Sequence, residues 1–249
     1  MGKKIILFTL IFNIICSFAF GGKKIIIVTG EYAPYTSEKL EGYGLASEVS
    51  SAAFNEMGYT VEIKFYPWKR CELLVQRGEA DAVIPYAKTE EREKIYVYSQ
   101  PIGFSKNKFF YSKKKFKKEI VYENLEDLSP YKIGGGVGYF YIPMFEKAGL
   151  NTEYIVSESG NMKKLNVGRI DFYILDELVG LNIIKELFPK NTNDFGTLKK
   201  SYDESGMYLL FSKKNPKADK LAVEFNKGLE KIKEKGIYKK IIAKYGLSE

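Results

Sequence analysis

The chain has 249 residues, 45% apolar and 28% charged, enough for one large domain or two small ones and too polar for a multi-span membrane protein. Histidine is absent, which excludes Ser-His-Asp and Cys-His machinery and any metal site built on imidazole. Two cysteines are too few for a zinc cluster, and the formal charge of +8 invites a nucleic-acid reading that the N-terminus then undercuts.

Lys3 and Lys4 precede an apolar run from Ile5 to Phe20 that closes on Ser17-Phe18-Ala19, small residues at the two positions a signal peptidase reads. The run falls short of the roughly 20 apolar residues that span a membrane. Residues 1–19 are therefore expected to be a secretory signal, cut after Ala19 or as late as residue 22, that delivers the chain to the periplasm. Lipoprotein anchoring through Cys16 is the weaker alternative, because Ile15 is too bulky for a cut just before that cysteine. Cleavage leaves Cys71 alone, with no disulfide to form in an oxidising compartment, and a lone buried thiol is packing rather than chemistry.

In the mature chain, Lys23 to Thr29 reads as a buried strand ended by Gly30. Leu45, Val49, Ala52, Ala53 and Met57 recur at helical spacing up to Gly58, and Val61 to Tyr66 alternates as a second strand. Pro67 suits a first helical position, Cys71, Leu74 and Val75 give that helix its buried stripe, and Ala82 to Tyr86 is a third strand. The order strand, helix, strand, helix, strand implies a parallel α/β layer. A second set follows: strands at Lys108–Ser112, Tyr131–Val137, Tyr154–Val156, Arg169–Leu175 and Met207–Ser212, with helices at Tyr141–Ala148, Asn161–Val167 and Leu178–Leu187. Leu221, Phe225, Leu229 and Ile232 mark a final amphipathic helix, continued by Ile237, Ile241 and Tyr245. No Pro/Gly/Ser-rich joint separates the two sets, which fits lobes joined by crossing strands better than beads on a string. The cluster Lys113–Lys115 with Lys117 and Lys118 reads as a solvated turn, and a secreted chain meets no nucleic acid.

Open α/β sheets bind ligands at the carboxyl ends of their strands. The loops there carry Gly30-Glu31-Tyr32-Ala33-Pro34-Tyr35, then Tyr66-Pro67-Trp68-Lys69-Arg70, then Tyr86 to Arg92, with Gly138-Tyr139-Phe140 and Asp176-Glu177 in the second set. Aromatic faces, fixed cations and a carboxylate are the kit that holds a small polar ligand with an apolar body.

These segments resemble the amino-acid-binding branch of the bacterial extracellular solute-binding proteins, family 3, the receptors of polar amino-acid ABC importers. The resemblance runs from about Lys23 to Gly246. It rests on Tyr32-Ala33-Pro34-Tyr35, Gly42-Tyr43, Pro67-Trp68, Gly78-Glu79-Ala80-Asp81-Ala82, Thr89-Glu90-Glu91-Arg92, Ser99-Gln100-Pro101 and Gly168-Arg169-Ile170-Asp171 followed by Asp176. It implies a two-lobed type II clamshell with two crossing hinge segments: residues 23–104 and 213–249 as lobe 1, residues 105–212 as lobe 2. The crossings are expected near Ile102–Phe104 and Ser212–Asn215.

The resemblance also implies roles. Tyr32 and Trp68 would sandwich the ligand's side chain, and Arg92 would grip its carboxylate with a planar fork. Thr89 would cap the short helix presenting Arg92, and Asp176 would pair with the α-ammonium from the opposite lobe. Small hydroxyl residues usual in the family are replaced by Tyr86 and Ala87, and Tyr139 follows Gly138 in the second lobe. Some polar contacts to the amino-acid backbone would then be missing or replaced by tyrosine hydroxyls, which opens the site to a larger, more aromatic or modified ligand. Glu31, Tyr35 and Arg70, with Glu48 and Lys69, are further candidate contacts. The implied function is non-enzymatic: capture of an amino acid or similar metabolite by a monomer, without cofactor or metal, for an ABC permease of the inner membrane. The alternatives are a cyclohexadienyl dehydratase-like enzyme, with Glu48 or Glu31 and a lysine as acid and base, and a ligand-sensing module for a partner protein.

Overall fold

The computed structural model describes residues 23–118 and 120–247. The expected signal segment, its cleavage point and Cys16 lie outside the described residues. The first part of the chain forms β1 (Lys23–Thr29), α1 (Leu45–Asn55), β2 (Tyr59–Phe65), α2 (Trp68–Gln76), β3 (Ala82–Tyr86), α3 (Glu90–Ile95) and β4 (Tyr96–Tyr98). Next come β5 (Gly103–Ser112), β6 (Lys132–Gly136), α4 (Ile142–Lys147), β7 (Asn151–Ile155), α5 (Glu158–Asn166), β8 (Phe172–Asp176) and α6 (Glu177–Leu187). The chain closes with β9 (Phe195–Thr197), β10 (Asp203–Ser212), α7 (Ala218–Glu234) and α8 (Ile237–Lys244).

The strands run in the order β2-β1-β3-β10-β5-β8-β6-β7, with β4 on β10 and β9 on β5. β1 pairs in parallel with β2 and β3, and β6 in parallel with β7 and β8. Two parallel α/β halves are thus joined by the antiparallel pair β5 and β10, the two-lobed periplasmic-binding architecture with two crossing strands. β10 changes partner along its length: Asp203–Met207 pair with β5, whereas Tyr208 and Leu210 pair with β3, and Leu210–Ser212 with β4. The change of partner falls between Met207 and Tyr208, and the apolar end of β10 is the stretch that pairs with the first half.

Each half ties the turn before one strand to the neighbouring strand by the same device. Asp81 accepts a hydrogen bond from the Ile26 amide at 2.8 Å and returns its own N–H to Ile26, and Asp171 does both with Lys132. Ala80 and Ile170, one residue earlier, are buried. The Gly-x-x-Asp runs of the sequence are therefore backbone staples. Cys71 is buried between α2 and the sheet, and burial pushes its thiol up to about 12, so it packs and stays inert. The lysine run is a turn, with Lys114 on Asp194 at 2.9 Å and Lys115 on Asp171.

Two aromatic contacts characterise the separate cores. Phe54 of α1 meets Phe225 of α7 with ring centroids 5.2 Å apart, and Phe109 of β5 stacks on Phe145 of α4 at 5.9 Å. The C-terminal helices return to the first half, where α7 lies so close to α1 that a Cβ on Gly228 would sit 2.0 Å from the Ala53 carbonyl oxygen. Replacing glycine by alanine in a helix gains about 1 kcal/mol of propensity, but here backbone must move, and overpacking costs about 1–3 kcal/mol. Gly228→Ala is expected to lower the urea midpoint of unfolding; an unchanged or higher midpoint would show that the two helices part freely.

Candidate functional site

The cavity of about 400 Å³ between the halves is built on strand ends. Below it, Trp68 opens α2 and lies flat on Gly30, where a Cβ would come within 2.6 Å of the indole. Glycine at position 30 thus allows the only tryptophan of the chain to reach the cavity wall. Tyr32 meets Trp68 edge to face at 6.0 Å, and Tyr86, the last residue of β3, also meets it edge to face at 5.7 Å. The Tyr86 hydroxyl donates to the Trp68 carbonyl at 3.4 Å. Both tyrosine rings thus stand steeply to the indole.

Arg92 enters from α3. The Thr89 hydroxyl caps that helix by accepting the Arg92 amide at 3.2 Å. The guanidinium lies over the Tyr86 ring, 4.6 Å from its centroid, and donates to the Ala87 carbonyl at 3.3 Å and to Glu72 at 3.4 Å. With a side chain only 17% exposed, Arg92 is a positioned cation rather than a solvated one.

From the second half, Tyr139 follows Gly138, whose φ of 82° suits glycine, and its ring covers Gly136, where a Cβ would fall 2.3 Å from it. Its hydroxyl donates to Glu158 at 3.0 Å. Glu158 is the first residue of α5 and lines the cavity, as do Ser105 and Asn107 of the crossing strand β5. Burial raises the phenols of Tyr32, Tyr86 and Tyr139, so all three remain neutral hydroxyls.

The structure brings together Tyr32, Trp68, Tyr86, Arg92 and Tyr139 around the cavity, with Thr89 one step behind as the cap. Asp176 has a different setting from the one expected. It is 1% exposed, and both oxygens are occupied. One accepts the Leu178 and Val179 amides at 3.0 and 3.1 Å. The other accepts Ser105 and the Lys106 amide at 3.1 Å and the Tyr35 hydroxyl at 3.3 Å. As the N-cap of α6 it faces protein donors and does not line the cavity, and Tyr35 is buried with it. Glu31 is exposed and accepts the Glu38 amide at 2.9 Å, while Arg70 stacks over Tyr66 at 4.5 Å. Glu48 binds Lys244 and Tyr245 at 2.7 Å, so neither carboxylate offered for an enzymatic pair reaches the cavity.

Glu72 and Glu158 were missed. Glu72 stands four residues after Trp68 on α2, a spacing that puts both on one helix face. Glu158 was hidden because the sequence ends the preceding strand one residue late, at Val156, and starts the helix at Asn161. The Ser157 hydroxyl, accepting the Gly160 amide at 3.0 Å, starts that helix earlier.

The profile of the bacterial extracellular solute-binding proteins, family 3, matches residues 25–248. The L-cystine-binding protein TcyJ of Escherichia coli (strain K12) is 24% identical over 178 residues, 70% of this chain and 64% of that protein's length. Among solved structures, a histidine kinase sensor domain with similarity to periplasmic binding proteins superposes with a TM-score of 0.78 at 20% identity, over 90% of this chain and 96% of its own. The amino acid ABC transporter substrate-binding protein AbpA of Streptococcus pneumoniae, bound to L-arginine, gives 0.73 at 22% identity over 89% and 93%. The ancestral amino-acid-binding protein AncCDT-1, a precursor of cyclohexadienyl dehydratase, gives 0.72 at 19% over 89% and 94%. At these identities the structural likeness establishes the fold.

Burial holds the Glu158 carboxyl above its ordinary value of 4.5, against the pull of its own amide and of Tyr139. On acidification the folded protein takes up this proton before the unfolded chain does, so the group's contribution to stability grows as pH falls toward 4.5 and is lost as pH rises through the folded value. Glu158→Gln is expected to raise the unliganded melting temperature at pH 7 and to flatten that part of the pH profile. Superimposable profiles of variant and parent would show the carboxyl to be freely solvated.

Proposed function

Because the chain belongs to the bacterial extracellular solute-binding proteins, family 3, we propose that it captures an amino acid or a similar polar metabolite between its lobes and hands it to an ABC permease of the inner membrane. The observation that carries this reading is Arg92, held by a capped helix and a tyrosine face at the wall of a cavity lined with aromatic rings. A guanidinium has five N–H donors, and Ala87 and Glu72 engage two, which leaves donors for a ligand carboxylate. Tyr32 and Trp68 would flank the ligand body, with Tyr86 and Tyr139 completing the walls.

A ligand touching both halves favours the shut clamshell through contacts that only that form supplies. The first lobe would comprise residues 23 to about 104 and the chain from about Tyr208 onward, the second the segment between them, as the change of partner along β10 suggests. The relatives that bind L-cystine and L-arginine support an amino-acid-like cargo. The protein would act as a periplasmic monomer released from a cleaved signal. The likeness to a histidine kinase sensor domain favours a second reading, in which a partner protein rather than a permease reads the closed form.

Trp68, the only tryptophan, makes binding visible by intrinsic fluorescence. In titrations with the twenty proteinogenic amino acids and L-cystine, at least one should shift its emission and raise the melting temperature by mass action. Arg92→Ala is expected to weaken that ligand about 10- to 150-fold, the equivalent of the ~1.5–3 kcal/mol of a charge-assisted hydrogen bond. Undiminished affinity in this variant would remove Arg92 from the site. Mass spectrometry should recover the ligand unchanged, whereas an aromatic product from prephenate or arogenate would replace the transport reading with the dehydratase one.

A further inference from the structure

The net charge of the chain from Lys23 onward is confined to its C-terminal end. Residues 23–212 carry 26 lysines and arginines against 26 aspartates and glutamates, whereas residues 213–249 carry 11 lysines against five acidic residues and no arginine. An asymmetry of this kind speaks about partners and solubility, not about the fold. α7 turns Phe225, Leu229 and Ile232 inward, with Phe225 against Phe54 of α1. Lys227 and Lys231 stand 7 and 11 residues after Lys220, so at 3.6 residues per turn the three share one stripe on the opposite, exposed face. Lys239 and Lys240 are exposed on α8, which packs beside α7.

Little in the protein offsets these charges. Lys235 and Lys244 are tied to Glu56 and Glu48 at 2.6 and 2.7 Å, but the five lysines of the stripe and of α8 form no ion pair among the described residues. Of the acids in the same stretch, Glu224 is taken by Lys23 and Tyr59, and Glu230 accepts from Gln100. Two observations favour a lipid surface over an acidic protein. Protein interfaces are rich in arginine and poor in lysine, whereas lysine is a mobile, strongly hydrated point charge suited to a diffuse layer of headgroups. The apolar run Ile5 to Phe20 also joins the fold at Lys23, whose ammonium lies 3.1 Å from Glu224, so the chain enters the fold beside α7.

We propose that the lysine face of α7 and the start of α8 docks the protein on an anionic phospholipid surface. The contact is electrostatic and does not insert, because the apolar side of α7 is already committed to α1. Attraction of this kind is shared among several lysines and acts within a screening length of the headgroups. It goes beyond the capture reading and stands without it: no residue after Met207 lines the cavity, so docking leaves the cavity wall free.

The test is co-sedimentation with vesicles of phosphatidylglycerol and phosphatidylcholine, using the chain from Lys23 onward, which holds every described strand and helix and omits the apolar run. The protein should pellet with the mixed vesicles at low salt and stay in the supernatant with phosphatidylcholine alone. Sodium chloride at about 1 M, where the screening length is about 3 Å, should release it. The triple variant Lys220→Glu, Lys227→Glu, Lys231→Glu should bind about tenfold more weakly, or weaker still, with its far-ultraviolet dichroism unchanged. The triple Lys113→Glu, Lys117→Glu, Lys118→Glu changes the net charge equally in the exposed turn of the second half and should bind as the parent does. If the first triple does not fold, Lys220→Gln, Lys227→Gln, Lys231→Gln carries the test, with a smaller loss. No pelleting with anionic vesicles at low salt, equal binding to phosphatidylcholine alone, or equal loss in the two glutamate triples overturns the assignment. Retention on poly-L-glutamate without pelleting on vesicles overturns it too, in favour of an acidic protein.

Discussion

Asp176 gathers five hydrogen bonds onto one buried carboxylate, and they arrive from three directions: the loop after β1 through Tyr35, the crossing strand β5 through Ser105 and Lys106, and the first turn of α6 through Leu178 and Val179. Removing a carboxylate from water is costly unless donors replace the lost hydration, and burial raises its pKa while these donors pull it down. The node fixes the loop carrying Tyr32 and Tyr35 relative to the second half, directly behind the cavity. Ser105, which lines the cavity, is one of the donors. Cavity shape and the joint between the halves therefore depend on the same group.

How much of the fold could be read from sequence depended on where each strand draws its stability. β1 and β3 are apolar runs bounded by turns, and both were found residue for residue because their side chains are largely buried. β5 and β10 were found only at their apolar ends. Their other halves, Ser105-Lys106-Asn107 and Asp203-Glu204-Ser205, pair with each other through backbone hydrogen bonds and carry no apolar alternation. The two crossing strands were thus visible as a requirement of two halves without a linker, while the pairing along them leaves no periodic mark. The paired staples at Asp81 and Asp171 made a motif without marking a ligand site, since each acts on backbone.

The site was legible to the extent that strand ends were. Tyr32, Trp68, Tyr86, Arg92 and Tyr139 all follow or end strands that the sequence located closely, and all five line the cavity. Glu158 also follows a strand, but one whose end was placed at Val156 and whose next helix was started late. Asp176 stood at a strand end located to within one residue, yet spacing alone does not say whether a carboxylate turns toward a cleft or back onto the next helix. The free amides of Leu178 and Val179 decide that, as they do for any Asp at an N-cap.

The tyrosines that replace small hydroxyl residues do not restore hydroxyls to the cavity. The Tyr86 hydroxyl turns to the Trp68 carbonyl and that of Tyr139 to Glu158, so each phenol is spent on protein and each ring faces a neighbour or the cavity. Tyr86 supports Arg92 through its face, and Tyr139 covers a glycine that has no room for any Cβ. Polar discrimination is thereby shifted from a row of hydroxyls to a few charged groups, while the rings supply contact area that tolerates variation in the ligand body. The lining of a cavity of about 400 Å³ is thus divided between apolar ring area and a few fixed charges.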